Sequence, residues 1–148
     1  MAPDLERVDH LHVFVADRPA AEQWYGRVLG LKRVAALARW ATDGGPLTVG
    51  NPAHTVHIAL FERPAAAKSR STIALATSAE GLLAWQRHLA AELGKAPERV
   101  DHEVSWSIYF EDPDGNPYEI TTYDYDALRK SDAWDDERPG LALPKREP

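Results

Sequence analysis

Two halves of this chain share almost no residue identity, yet they repeat one order of elements at a near-constant offset, and this limits the fold more than any other feature. His10 and Thr72 stand 62 positions apart, Trp24 and Trp85 stand 61 apart, and His57 and Glu119 again 62. In the first half, residues 8–15 alternate Leu11, Val13 and Val15 against His10, His12 and Phe14, the period-two pattern of a half-buried strand. Asp17 caps a helix, Pro19 sits in its first turn, Trp24, Val28 and Leu29 carry its apolar periodicity, and Gly30 stops it. Strands are predicted at about 32–40, 46–49 and 55–61, separated by turns at Asp43-Gly44-Gly45 and Asn51-Pro52. After a linker over 64–71 the order recurs: a strand at 72–77, a helix at about 80–93 ended by Gly94, a loop through His102, and strands at 104–110 and 118–123. A third strand of this half is suggested near Arg99, but the sequence there is too polar to assign.

A duplicated β-α-β-β-β unit predicts an α+β fold in which two tandem modules form a curled mixed sheet around a cavity, with helices on the outer face. The modules span about 7–63 and 71–123, within a single domain of 148 residues that ends in an acidic tail over 124–148. First and last strands of each module then line one inner wall, which places His10, His57, Thr72 and Glu119 at equivalent positions. Aligning the 55–61 strand on its Leu60-Phe61 end instead puts Ala59 opposite Glu119, on the same face as His57.

A chain of this length can bury roughly two-thirds of the surface its unfolded form exposes. It contains no cysteine, so a metal would have to be held by His, Asp or Glu. No apolar run approaches the ~20 residues that span a bilayer, and the N-terminus lacks the basic and apolar regions of a signal peptide. These features lead us to expect a soluble, cytoplasmic protein with no membrane partner. The formal net charge is -6, and the 17 Lys and Arg are scattered, which argues against a nucleic-acid partner. Much of the excess acid lies beyond Tyr123, in Asp124, Asp126, Asp132, Asp135, Asp136 and Glu137.

Ile108 to Ile120 reads as strand, tight turn and returning strand. Asp114-Gly115-Asn116 supplies residues that tolerate positive φ, and Pro113 presets the turn entry. Alternation puts Glu119 on one face with Thr121 while Ile120 packs on the other, so a carboxylate stands on a sheet face that has little structural use for one. The other reading of Glu119 is an outward-facing residue of a surface hairpin.

The run Asp9-His10-Leu11-His12-Val13-Phe14-Val15-Ala16-Asp17, with Trp24-Tyr25 and Val28-Leu29-Gly30, is similar to the first strand and helix of the vicinal oxygen chelate superfamily. This superfamily includes glyoxalase I, fosfomycin-resistance enzymes, extradiol dioxygenases and bleomycin-binding proteins. Asp112-Pro113-Asp114-Gly115-Asn116 with Glu119 resembles its final hairpin, and the likeness covers about residues 7–123. It implies a metal-dependent glyoxalase or dioxygenase acting on a small substrate that chelates the metal through adjacent oxygens, and a homodimer whose site is shared between subunits. His10 and Glu119 take the family's metal-ligand positions, with His57 as a candidate third ligand. The implied cofactor is a divalent ion, Fe, Mn, Ni, Co or Zn, since imidazole and carboxylate suit all of these. At another usual histidine position the chain carries Thr72, a poor ligand for such metals.

His102 and Tyr109 resemble the loop His and strand Tyr that flank the metal in the extradiol dioxygenase branch, where they act as acid-base and hydrogen-bonding groups, and this favours ring cleavage slightly. A phenol and an imidazole there could shift a substrate's hydroxyl proton; otherwise they are a core aromatic and an exposed loop residue. His12 faces the same way as His10 and is either a substrate-orienting or basic group or half of a buried hydrogen-bonded pair. His54 reads as a loop residue and His88 as a helix-surface residue. Trp24, Trp85 and Trp106 read as packing, Trp40 as a candidate for the cavity mouth, and Trp134 as a docking residue of the tail. The alternative from a different class is a metal-free binder of a small aromatic or drug-like molecule, to which Thr72 points.

Overall fold

The computed structural model describes residues 7–42, 44–63 and 71–130. The first module runs β1 (Leu11–Val15), α1 (Arg18–Val28), β2 (Lys32–Arg33), a 3-10 helix (Ala35–Ala41), β3 (Leu47–Gly50) and β4 (His57–Glu62). The second runs β5 (Ile73–Ala76), α2 (Ala79–Leu93), β6 (Glu98–Asp101), β7 (Trp106–Glu111) and β8 (Pro117–Thr122), followed by a short α3 (Tyr125–Arg129). Each module makes a mixed four-stranded sheet, in the orders β1-β4-β3-β2 and β5-β8-β7-β6. The first strand of each lies parallel to the last, and the remaining neighbours are antiparallel.

Local signals explain the helices. Asp17 Oδ1 accepts from the Ala20 amide at 2.8 Å, Pro19 occupies the first turn, and Gly30 follows α1 at φ +67°. Ser78 caps α2 through the Gly81 amide at 3.1 Å, and Gly94 ends it in the left-handed conformation. Val13, Val15, Ile58 and Leu60 bury one face of the first sheet in a core shared with Tyr25 and Val28 of α1. Ile108, Tyr118 and Ile120 do the same in the second, with Leu82 and Leu89 of α2 in the same core. His10, His12 and Phe14, and likewise Glu119 and Thr121, are left on the opposite, helix-free faces.

The structure departs from the sequence reading in three places and settles a fourth that this reading left open. The strand expected over 32–40 stops at Arg33, and Ala35–Ala41 coils into a 3-10 helix; an Ala-rich run has neither the β-branched residues nor the alternation to hold a strand. The polar segment at Arg99 is a strand, held by antiparallel pairing to β7 rather than by burial. The α3 turn was not anticipated. His88 is half-buried rather than a surface residue, and its Nε2 stands 2.8 Å from the Val28 carbonyl oxygen, one of the acceptors left open at the C-terminus of α1. Most of the 64–71 linker and the tail with Trp134 lie outside the described residues.

The modules are joined through the turn between β7 and β8. Asp112 is 5% exposed and accepts four hydrogen bonds: from Tyr25 OH (2.7 Å) and Asn116 Nδ2 (2.8 Å) at Oδ2, and from the Asp114 (2.9 Å) and Asn116 (2.8 Å) amides at Oδ1. Tyr118 OH lies 2.8 Å from Tyr25 OH. Because the Tyr25 proton goes to Asp112, Tyr118 is the donor in that pair. Asn116 Nδ2 also reaches the Phe14 carbonyl at 3.1 Å, and Asp114 Oδ1 accepts from the Ala16 amide at 3.0 Å. One turn thus holds the end of β1 and the middle of α1. Arg27 of α1 pairs with Glu92 of α2 alongside.

Tyr25→Phe should lower unfolding free energy by about 1–3 kcal/mol, and by more than Tyr118→Phe, because a bond to a buried carboxylate is stronger than one between phenols. Denaturant midpoints of the two variants check the ranking. Burial holds both phenols above their ordinary value of 10.0, so the folded state keeps protons that the unfolded chain releases. Their contribution is therefore complete below pH 10 and falls as the pH rises further. The fall should approach ~1.4 kcal/mol per pH unit for each phenol, and Tyr25→Phe should reduce the slope in alkaline unfolding curves.

Candidate functional site

The candidate residues occupy the helix-free face of each sheet. On the second module, β7 and β8 place Tyr109 directly opposite Glu119 and Ser107 opposite Thr121. Ser107 Oγ, fully buried, donates to Glu119 Oε1 at 2.6 Å and lies 3.0 Å from Thr121 Oγ1. His102, at the start of the β6-β7 connection, brings Nε2 to 3.0 Å from Tyr109 OH. The connection closes through the His102 amide on the Ser105 carbonyl at 3.0 Å, and Glu103 between them holds φ +68°. His102, Tyr109, Glu119 and Ser107 therefore share one wall, with the imidazole exposed and the carboxylate half-buried.

On the first module, His10 Nδ1 lies 2.8 Å from Asp9 Oδ2 and His10 Nε2 lies 3.0 Å from His12 Nε2. Hydrogen bonding to His10 holds the Asp9 carboxyl below its ordinary value of 3.8. The His12 ring rests 4.7 Å from Phe61, and Phe61 lies 5.9 Å from Phe14. The histidine pair forms, but on the exposed face rather than buried. His57 shares this face; its Nε2 stands 3.3 Å from Nδ1 of His54, a residue at φ +55°.

Strand register decides the equivalence that the sequence left open. Leu11 pairs with Ile58 in the first sheet and Ile73 with Tyr118 in the second, so matching Leu11 to Ile73 makes Ala59 the counterpart of Glu119. Thr48 opposite Ala59 and Tyr109 opposite Glu119 repeat that match. His57 lies one inward-facing position earlier along β4. Among the described residues no three His, Asp or Glu side chains converge within the chain on a point that could hold a metal. His10, His12, His54 and His57 stand on one module, whereas Glu119 and His102 stand on the other.

Two partners escaped the sequence reading. Ser107 shares the face of Tyr109 by simple alternation, which would have shown it. The role of Asp9 follows only from its hydrogen bond to His10. Trp40 is largely exposed on the 3-10 helix, and Trp106 stacks on Tyr125 at 5.5 Å.

The model of the Glyoxalase/Bleomycin resistance protein/Dioxygenase superfamily matches residues 7–120. The chain belongs to that superfamily. A glyoxalase/dioxygenase from Nostoc punctiforme superposes with a TM-score of 0.64 at 22% identity, covering 83% of this chain and 95% of its own. A glyoxylase/bleomycin resistance protein/dioxygenase domain from Frankia sp. gives 0.65 at 18%, covering 81% and 93%. The fosfomycin resistance protein FosX of Listeria monocytogenes, solved with Mn(II) and 1S,2S-dihydroxypropylphosphonic acid, gives 0.63 at 15%, covering 80% and 94%. At these identities the likeness establishes the superfamily fold. A comparison with curated proteins found no match.

Positive φ at a residue with a side chain is strained, typically by about 1–2 kcal/mol. Glu103→Gly should therefore raise the thermal midpoint slightly, and an unchanged or lowered midpoint would show that the Glu103 side chain stabilises this connection in some other way.

Proposed function

We propose that the protein is a metal-dependent enzyme of the glyoxalase and dioxygenase type, acting on a small substrate that chelates the metal through adjacent oxygens, with ring-cleaving dioxygenase chemistry the favoured form. The observation that carries this reading is the shared wall of the second module, where the Tyr109 phenol and His102 imidazole are hydrogen-bonded at 3.0 Å beside the inward-facing Glu119. His10 and Glu119 are the ligands in this reading, with His57 a further candidate on the same face as His10. Because these donors stand on different modules, the reading includes a homodimer in which His10 of one copy meets Glu119 of the other.

When bound, a divalent ion would supply positive charge that neutralises an oxyanion or enolate on the chelated substrate. The chain's own groups do the rest. Tyr109 OH binds a substrate oxygen and His102 Nε2 exchanges a proton with that phenol, a relay whose direction depends on the imidazole tautomer. Ser107 holds the Glu119 carboxylate in one orientation through its 2.6 Å bond. FosX, a structural relative, was solved with Mn(II) and a compound bearing hydroxyls on adjacent carbons, which supports a chelating substrate. A second reading, a metal-free binder of a small aromatic molecule, draws on Thr72 and on the Phe14-Phe61 pair that the open face presents.

Elemental analysis of the purified protein separates the two. Near-stoichiometric metal in the wild type, lost in both His10→Ala and Glu119→Gln, is the expected result, followed by turnover of a catechol or a 2-oxoaldehyde. Tyr109→Phe and His102→Ala should retain metal and lose about 10²–10⁴-fold in kcat. If the wild type takes up none of Fe(II), Mn(II), Ni(II), Co(II) or Zn(II) under reducing conditions, the enzyme reading is overturned and the binder remains.

A further inference from the structure

The proposed centre is short of a nitrogen donor, since β5 is preceded by Thr72, whose hydroxyl is a poor ligand for these metals. The first module carries a spare. His10 and His12 lie two residues apart on the same face, and their rings are within 25° of parallel with centroids 5.0 Å apart. Their Nε2 atoms are nevertheless only 3.0 Å apart, so the ring tips lean together. With metal-nitrogen bonds of about 2.1 Å, two ligands in neighbouring positions stand about 3.0–3.4 Å apart, from octahedral to tetrahedral geometry. The pair is therefore already at ligand spacing.

Asp9 adds an independent argument. Its Oδ2 stands 2.8 Å from His10 Nδ1, which places the His10 proton on Nδ1 and leaves Nε2 unprotonated, with a lone pair that accepts from His12 in the metal-free chain and is available to a metal. A carboxylate behind a ligating imidazole is a recurrent feature of metal sites, where it fixes both tautomer and ring orientation. In the metal-free chain, His12 Nε2 then donates to His10 Nε2. With that proton on His12 Nδ1 instead, the other neutral tautomer, Nε2 is free to act as a second donor and the imidazole stays uncharged.

We infer that His12 is the second nitrogen ligand of the centre, so that both histidines come from the start of β1 and the residue before it, with Asp9 as the positioning residue for His10. This inference rests on the metal-dependent reading above. Glu119 of the second copy completes a two-histidine, one-carboxylate set, which leaves neighbouring positions open for a substrate that binds through two oxygens. His57 is then not required as a ligand.

The test is titration of the metal-free full chain with Co(II), followed by visible absorption and equilibrium dialysis, on the wild type and on His10→Ala, His12→Ala, His57→Ala, Asp9→Asn and Glu119→Gln. The wild type should bind one ion per chain. His12→Ala should weaken binding as much as His10→Ala, at least about 100-fold, and Asp9→Asn about 10–100-fold, while His57→Ala leaves it unchanged. If His12→Ala destabilises the fold, imidazole nitrogen NMR of the wild type during Zn(II) titration gives the same reading: the His10 and His12 Nε2 signals move together. Wild-type affinity in His12→Ala with loss in His10→Ala and Glu119→Gln, or loss in His57→Ala in its place, overturns this inference while the metal-dependent reading stands. Absence of uptake by the wild type of Co(II) and, in the same titration under reducing conditions, of Fe(II), Mn(II), Ni(II) and Zn(II) overturns both.

Discussion

Asp112 sits nearly out of solvent between the two modules, with both carboxylate oxygens fully engaged. A buried carboxylate is costly unless its lone pairs are matched by donors, and here the donors come from two parts of the chain. The two backbone amides and Asn116 shape the β7-β8 turn, while the Tyr25 phenol reaches across from α1. The turn that returns β8, and therefore sets the height of Glu119 on the sheet, is thus tied to the helix that covers β1. Asn116 and Asp114 complete the tie by bonding to the end of β1 itself. Rigid placement of one module's open face relative to the other follows from this junction and from the packing of α1 on α2.

That junction also explains the division of donors. The modules meet through helices and a turn, so each open sheet face is left to present its own side chains: histidines and two phenylalanines on the first, and a Tyr, a His, a Ser and a Glu on the second. A centre that needs both sets must bring two faces together, and the homodimer is the proposed way to do so. Ser107 and Asp9 stand on opposite sides of this division, each hydrogen-bonded to one candidate ligand, Glu119 or His10.

Much of the architecture was legible because it rests on local chemistry. The helix cap Asp17, the stops Gly30 and Gly94, and the alternation of Val13 and Val15 with His10 and His12 depend on neighbours within a few residues. The duplicated element order then implied that first and last strands share one wall, and the structure shows that they pair directly. What was left open or misread depended in part on distant partners. The strand suggested near Arg99 was too polar to assign, and β6 exists there because β7 supplies its hydrogen bonds. The segment after Arg33 looked extended until its alanines coiled. His88 looked like a surface residue until the end of α1 was placed beside it.

The sequence by itself determined which residues share a strand face, because side chains alternate with period two regardless of context. It thereby determined that His10 and His12 look the same way and that Glu119 opposes the packing of Ile120. Only the tertiary structure decided which residues of different strands are equivalent, since register is set by hydrogen bonding between strands: it made Ala59, rather than His57, the counterpart of Glu119. It also decided that Asp112 belongs to the junction and not to the candidate site, because only the folded chain brings Tyr25, 87 residues away, within reach of its carboxylate.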